Sequence, residues 1–288
     1  MNVTSRFAPS PTGRLHLGHA WSAIQAHDRA RGAGGRFLLR IEDIDGTRSR
    51  PEFVAGIFED LAWLGLEWEA PVVFQSARLG LYAEAIERLR AMDLLYPCFC
   101  TRAEIAASLS APHGNGDPVY PGICRHLARE ERERRIAGER YAWRLDMARA
   151  IASLPTGGRL VWHDEIAGDV IAAPEMHGDV ILARKDAPAS YHLAVTIDDA
   201  LQGVTHVVRG LDLFEATHVH RLLQALLELP TPLYRHHALL TDGAGNRLAK
   251  RNGAPTLAAM RDAGIDGAVL ADDLRNGRLP IGFRLSEY

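Results

Sequence analysis

No run of about 18 apolar residues occurs anywhere in the 288-residue chain, so it offers no membrane-spanning helix. Its first residues lack the apolar core of a secretion signal. An excess of one charge is also missing. Lys and Arg number 33 against 36 Asp and Glu, for a net charge of −3 and a pI near 6.5. The simple argument for a nucleic-acid binder from a strongly basic chain is therefore unavailing, although a local basic face would suffice for such a partner. Cysteine is scarce: only Cys98, Cys100 and Cys124 occur. An odd, clustered set without a secretion signal points to thiol chemistry or a metal more than to disulfides. Internal repeats and low-complexity tracts are absent. The remainder is ordinary for a globular protein, 47% hydrophobic and 24% charged, in a length that suits one large domain or two ordinary ones. A cytoplasmic monomer with no membrane partner is expected.

Residues 3–8 read as a short strand, with Pro9, Pro11 and Gly13 marking a turn after it. Residues 16–31 read as a helix, because Leu17, Ala20, Ile24 and Ala30 recur near helical spacing. "RFLLRIE" at 36–42 is a buried strand. This opening βαβ unit predicts an α/β, Rossmann-type nucleotide-binding fold. Helices are expected at 52–65 and 79–94, an irregular stretch at 95–125, and a charged helix at 126–140. Strands are expected within 159–183, at 191–197, 204–209 and 235–240, and a helix at 212–229. The pattern suggests a first half of the catalytic fold over 1–75 and an inserted subdomain carrying the cysteines over 76–175. A second half would cover 176–253, followed by a short helical tail over 254–288.

The frame His16-Leu17-Gly18-His19 follows a strand and a proline-rich turn and opens a helix. Such a tetrad arises by chance in roughly one chain in twenty of this composition, so its position carries more weight than its presence. A helix N-terminus attracts phosphate through its unbonded N–H groups and its dipole. Two imidazoles there can donate hydrogen bonds to charge developing on the α-phosphate of ATP, and the glycine lets a purine approach the backbone. The competing reading is that both histidines merely cap or solvate the helix. A lysine that reaches triphosphate oxygens should complete such a site, and Lys250 in the loop "GNRLAKRNGA" supplies it.

The segments "RFAPSPTGRLHLGH", "LLRIEDIDGTRS", "VVRGLDL" and "RLAKRNGAP" together resemble the catalytic core of class I glutamyl-tRNA synthetases over nearly the whole chain. HLGH matches the first signature of that class and Arg247-Leu248-Ala249-Lys250-Arg251 the second, with Ala249 standing where a serine is usual. The resemblance implies ATP, with its Mg²⁺, and L-glutamate as substrates. The chain ends about 35 residues after the second signature, so a large anticodon-reading region is not expected. In this it resembles the short paralogues of the family, which attach glutamate to the queuosine base in the anticodon stem-loop of tRNA(Asp). The alternative is a truncated synthetase that charges the 3′ end of tRNA(Glu).

Free glutamate carries two carboxylates and one ammonium, and so needs cations for the former and an anion for the latter. Arg6, Arg209 and Glu42 meet that demand. The resemblance implies a pocket formed by Arg6, Phe7, Ala8, Pro9, Ser10, Glu42, Tyr191 and Arg209. Glu42 would take the ammonium, the two arginines would divide the carboxylates, and Tyr191 would donate a hydroxyl. An internal ion pair is the competing reading for Glu42 and Arg209. Asp43, Asp45 and Arg48 are expected to order their own loop. Cys98, Cys100 and Cys124 suit one structural Zn²⁺, for which His113 or His126 is a chemically natural fourth ligand. The resemblance instead implies Tyr120. A small-molecule adenylyltransferase would also use a His-X-Gly-His helix start, but it would need no glutamate pocket. A non-catalytic RNA-binding relic would not need an intact HLGH.

Overall fold

The structure is a computed structural model, and it describes residues 2–101, 103–105, 119–155, 159–243, 245, 248 and 255–286. The chain begins with β1 (Thr4–Phe7), α1 (Leu17–Arg31), β2 (Arg36–Ile41), α2 (Pro51–Trp63), β3 (Glu69–Phe74) and α3 (Leu79–Ala91). Next come β4 (Leu95–Cys98), α4 (Arg129–Gly138), β5 (Ala142–Leu145), α5 (Met147–Ala152), β6 (Val161–Asp164), β7 (Gly168–Ile171) and β8 (Ile181–Ala183). It continues through α6 (Tyr191–Leu201), β9 (His206–Gly210), α7 (Ala216–Leu226), β10 (Leu233–His237) and β11 (Leu240–Asp242). The last elements are α8 (Leu257–Asp262), α9 (Gly267–Arg275) and β12 (Phe283–Leu285).

Two parallel arrays form an α/β layer. One is ordered β1-β2-β3, and the other is β7-β6-β10-β9 with only β7 antiparallel. The Thr205 N–H donates to the Thr4 carbonyl at 2.9 Å, which sets β1 beside β9. From β1 the chain winds outward to β2 and β3, and from β9 it winds the other way to β10. The strand order therefore reverses between β1 and β9, and in such sheets the crevice lies at the carboxyl ends of the two strands flanking that point.

The first strand-helix-strand unit forms for local reasons. Helix α1 buries Leu17, Ala20, Trp21, Ala23, Ile24, Ala26 and Ala30, and places Arg29 and Arg31 in its last turn, where the dipole favours cations. Gly35 is required at the turn into β2, since a Cβ there would lie 2.1 Å from the Val3 carbonyl oxygen. Strand β2 is buried from Phe37 to Ile41, as a central parallel strand must be, and it carries a fully buried Arg40.

Several expectations need correction. Residues 191–197, read as a strand, open α6, with Ser190 as N-cap. Every residue from Leu193 to Asp199 is buried, so no polar face marks the helical period, and the β-branched run Val195-Thr196-Ile197 imitates a strand. Strand β3 stands between two helices where none was expected. Strand β4 opens the stretch read as irregular and pairs antiparallel with β5, which follows the charged helix where no element was expected. Strand β5 also pairs β8, which lies within the residues 159–183 expected to hold strands. Strand β6, expected in the inserted subdomain, pairs with β10 at Tyr234 and Asp164, so residues 161–171 share a sheet with β9 and β10. The tail is not wholly helical, because β12 returns antiparallel to β11. Its start is pinned to the beginning of α1, where the Leu257 N–H donates to the Leu15 carbonyl at 2.9 Å. Among the described residues no helix is long and apolar enough to cross a membrane.

Candidate active site

A cleft of about 650 Å³ opens where β1 and β9 end. Arg6 to Ser10 come off β1, His16, Gly18 and His19 come from the start of α1, and Glu42 follows β2. Tyr191 begins α6 and Arg209 lies in β9. All of these line the one cleft. Leu248 of the second basic segment lines it too, whereas Arg247, Ala249, Lys250 and Arg251 lie outside the described residues.

The two histidines cap the helix, as the competing reading expected, and the caps define their chemistry. The Gly18 N–H donates to His16 Nδ1 at 3.2 Å, and the His16 N–H donates to His19 Nδ1 at 3.1 Å. Each Nδ1 is thus an acceptor, which leaves the proton of each neutral ring on Nε2. The rings lie 3.8 Å apart between centroids. A Cβ on Gly18 would come within 3.1 Å of the His16 ring, so the intervening glycine makes room for the first imidazole.

The wall behind Arg6 is an ion-pair network. Arg6 donates to both carboxylate oxygens of Asp199, at 3.0 and 3.3 Å, and to the Val208 carbonyl at 3.4 Å. Arg40 donates to Asp199 at 2.8 Å, to Gln202 at 2.9 Å and to Glu42 at 3.4 Å. Asp198 takes hydrogen bonds from Gln75, Arg78 and Tyr82. Burial pushes the Asp199 carboxyl up, but Arg6 and Arg40 more than offset this and hold it below the ordinary carboxylate range. Burial also raises Glu42, and there Arg40 and Arg6 compensate only in part. Glu42 therefore pairs with Arg40 and not with Arg209.

The wall behind Arg209 is built differently. Its Nε donates to His236 Nε2 at 3.0 Å, and Nη1 donates to the Tyr191 hydroxyl at 3.2 Å and to His220 Nδ1 at 3.3 Å. Nη2 donates to the Leu213 carbonyl at 3.1 Å and the Thr217 hydroxyl at 2.5 Å. The full set of guanidinium N–H groups is thus bonded, and among the described residues none of these partners is a carboxylate. Burial pushes His236 down to about 4 against the pull of Asp164, and it holds His220 well below the ordinary value. His192, 3.1 Å from His220, is also lowered to about 4 by burial. These imidazoles are neutral at pH 7, so the cation beside them is left uncompensated by its direct neighbours.

In the loop after β2, Asp45 accepts from Thr47 and Arg48, and Asp43 accepts from Ser76, which is the loop-ordering arrangement expected. Sequence reasoning missed Arg40, Asp164, Asp199, His220 and His236. The available signals were a charge inside the apolar strand "RFLLRI" and adjacent aspartates inside an apolar helix.

Away from the cleft, the sulfurs of Cys98, Cys100 and Cys124 lie within 4.8 Å of one another. The Tyr120 hydroxyl is 3.4 Å from Cys98 Sγ and 3.5 Å from Cys100 Sγ, and accepts from the Cys124 N–H at 3.0 Å. His126 is exposed and outside this cluster, and His113 lies outside the described residues. Burial raises Cys100 to about 11. For Cys98, burial is outweighed by Tyr120 and Arg144, so its thiol lies below the ordinary value.

Comparisons with known proteins place this geometry. Residues 2–273 match the family described as tRNA synthetases class I (E and Q), catalytic domain. The chain is 49% identical over 273 residues to the glutamyl-Q tRNA(Asp) synthetase of Rhodobacter capsulatus, covering 92% of this chain and 97% of that one. It is 47% identical over 273 residues to the protein of the same name from Symbiobacterium thermophilum, covering 91% of this chain and 82% of that one. The solved glutamate-tRNA synthetase of Elizabethkingia anophelis superposes with a TM-score of 0.80 at 27% identity, over 95% of this chain. The chain spans 61% of the length of that synthetase.

Proposed function

The chain belongs to the class I tRNA synthetases of the E and Q type, and from that premise we propose that it activates L-glutamate with ATP and transfers the glutamyl group to the queuosine base in the anticodon of tRNA(Asp). The observation that carries the reading is a buried arginine with only neutral partners, placed in one cleft with a carboxylate and two helix-start imidazoles. The names of the relatives favour queuosine over the 3′ end of tRNA(Glu) as the acceptor.

In the first step a glutamate α-carboxylate oxygen attacks the α-phosphorus of ATP, and the bond to pyrophosphate breaks. His16 and His19, each a donor at Nε2, and Lys250 stabilise the charge that develops there. Bound as its Mg²⁺ complex, ATP would have the charge of its triphosphate partly neutralised. Glu42 holds the substrate ammonium, and Tyr191, whose hydroxyl oxygen accepts from Arg209, donates its O–H to a carboxylate drawn in by the Arg209 charge. Arg6 shares its charge with Asp199, so its pull on the other carboxylate is weaker. Phe7, Ala8, Pro9, Ser10 and Gly18 shape the cleft with their backbone and small side chains. In the second step a queuosine hydroxyl attacks the activated carbonyl, loses its proton, and AMP leaves.

Three thiols with a hydroxyl among them are a donor set suited to a four-coordinate metal. Cys98, Cys100, Cys124 and Tyr120 would hold one Zn²⁺, which would cross-link the insert and take no part in the reaction. Metal analysis should find one zinc per chain and its loss in Cys98→Ser. The enzyme works as a cytoplasmic monomer in this reading.

ATP–pyrophosphate exchange tests the activation step. It should require glutamate, and His16→Ala, His19→Ala or Lys250→Ala should each slow it by about 10²–10³-fold. Exchange at the wild-type rate in the triple variant would overturn the assignment.

A further inference from the structure

The Arg209 wall continues one layer deeper. His236 accepts from Arg209 at Nε2, so a neutral ring must carry its proton on Nδ1. That nitrogen faces Asp164 Oδ2 at 2.7 Å. The same oxygen accepts the His236 backbone N–H at 3.0 Å. The other oxygen, Asp164 Oδ1, accepts from the Ile166 and Ala167 N–H groups at 2.9 and 3.0 Å. Both side chains are fully buried. Tyr234 stacks on the imidazole at 5.9 Å with planes 5° apart, while Phe214 and Trp162 meet it edge-on at 5.0 and 5.7 Å. The ring has no room to turn over.

From this geometry we propose that Asp164 and His236 are positioning residues for the amino-acid substrate. Asp164 fixes the Nδ1–H tautomer of His236, and His236 in turn orients the Arg209 guanidinium without neutralising it at close range. The proposal rests on the reading that Arg209 holds a glutamate carboxylate. A carboxylate joined directly to Arg209, as Asp199 is joined to Arg6, would compete with the substrate for the same charge. An imidazole in between supplies the acceptor and moves the negative charge one ring farther away. The same logic holds a catalytic imidazole in one tautomer by a buried carboxylate, and it orients metal ligands through their outer partners.

Asp164→Asn retains the shape but cannot serve every donor. One of its ends becomes an NH₂, which must face either the imidazole Nδ1–H together with the His236 N–H, or the Ile166 and Ala167 N–H groups. Where it faces the imidazole, the ring's relief is a proton on Nε2, which then opposes the Arg209 Nε–H. His236→Gln can rebuild the relay, with its oxygen toward Arg209 and its amide toward Asp164, whereas His236→Ala cannot.

The experiment has two arms on the full chain. In the first, ¹⁵N-histidine spectra read the His236 tautomer without any substrate. Nδ1–H is expected in the wild type, with a shift toward Nε2–H in Asp164→Asn. In the second, pyrophosphate exchange separates the KM for glutamate from kcat and from the KM for ATP. Asp164→Asn and His236→Ala should raise the glutamate KM about 10–100-fold with the ATP KM unchanged. His236→Gln should return it to within a few-fold of wild type. A purely structural role would lower the active fraction, and so kcat, and leave the glutamate KM alone. The proposal fails if His236 is Nε2–H in the wild type, or if glutamate KM stays at the wild-type value in Asp164→Asn. It also fails if His236→Gln is as impaired as a folded His236→Ala. A correct tautomer with exchange driven by a different amino acid would keep the relay and overturn the glutamate reading alone.

Discussion

Arg6 and Arg209 face the same cleft from adjacent strands, and both are buried, yet their surroundings are opposite in kind. Arg6 sits against Asp199, which also holds Arg40, so its charge is closed within the fold. Arg209 sits among imidazoles, hydroxyls and a carbonyl, and the nearest carboxylate in its chain of hydrogen bonds is one imidazole away. A buried cation with a buried anion is a folding device, and removing either leaves a charge stranded. A buried cation with neutral partners keeps its attraction for an incoming anion. The residue type is the same, and the neighbours decide whether it serves stability or binding.

The largest effect expected from this contrast falls on Arg40. Arg40→Ala leaves Glu42 without its hydrogen-bonded cation and Asp199 with Arg6 alone, and should cost about 3–5 kcal/mol in chemical denaturation. A loss below about 1 kcal/mol would break the distinction between the walls.

Acid should separate them next. His192 and His236 titrate near 4 in the folded protein, well below their ordinary 6.5, because both are buried. Between those values the unfolded chain binds more protons than the folded one. Stability is therefore full above about pH 6.5 and falls as the pH drops toward 4, on the order of 3 kcal/mol for each ring. Asp199, held below the ordinary carboxylate range, keeps its pairs with Arg6 and Arg40 ionised through that window. Denaturation midpoints measured across pH 4–7 should fall in the wild type and fall less in His236→Gln. A flat profile would contradict the neutral-imidazole wall.

A smaller and more selective effect belongs to Arg209→Lys. It keeps the charge and loses the planar fork, so glutamate affinity should drop by about 1.5–3 kcal/mol while ATP affinity holds. Equal losses for both substrates, read from exchange kinetics, would mean that Arg209 supports the cleft generally.

The sequence made the entrance to the cleft legible and left its walls hidden. The His-X-Gly-His frame, the strand before it and the glutamate after "RFLLRI" are local patterns with local causes. The distinction between Arg6 and Arg209 is not local. It depends on Asp199, 193 residues from Arg6 along the chain, and on Asp164, 72 residues from His236. Helix α6, which carries Asp198 and Asp199, was also the element misread as a strand, because burial on every side erased its period. The region from β4 to β8 was only partly legible. Its three cysteines are visible as a cluster that could hold a metal, whereas its sheet is assembled from strands far apart in sequence, and strand β6 joins β10 instead.

Transfer of labelled glutamate is the measurement closest to the central claim. Purified protein, ATP and labelled glutamate should place label on tRNA(Asp) that carries queuosine, and on its isolated anticodon stem-loop. No label should appear on the same tRNA lacking queuosine. Efficient charging of unmodified tRNA(Glu) at its 3′ end, with none on queuosine-bearing tRNA(Asp), would contradict the proposed function.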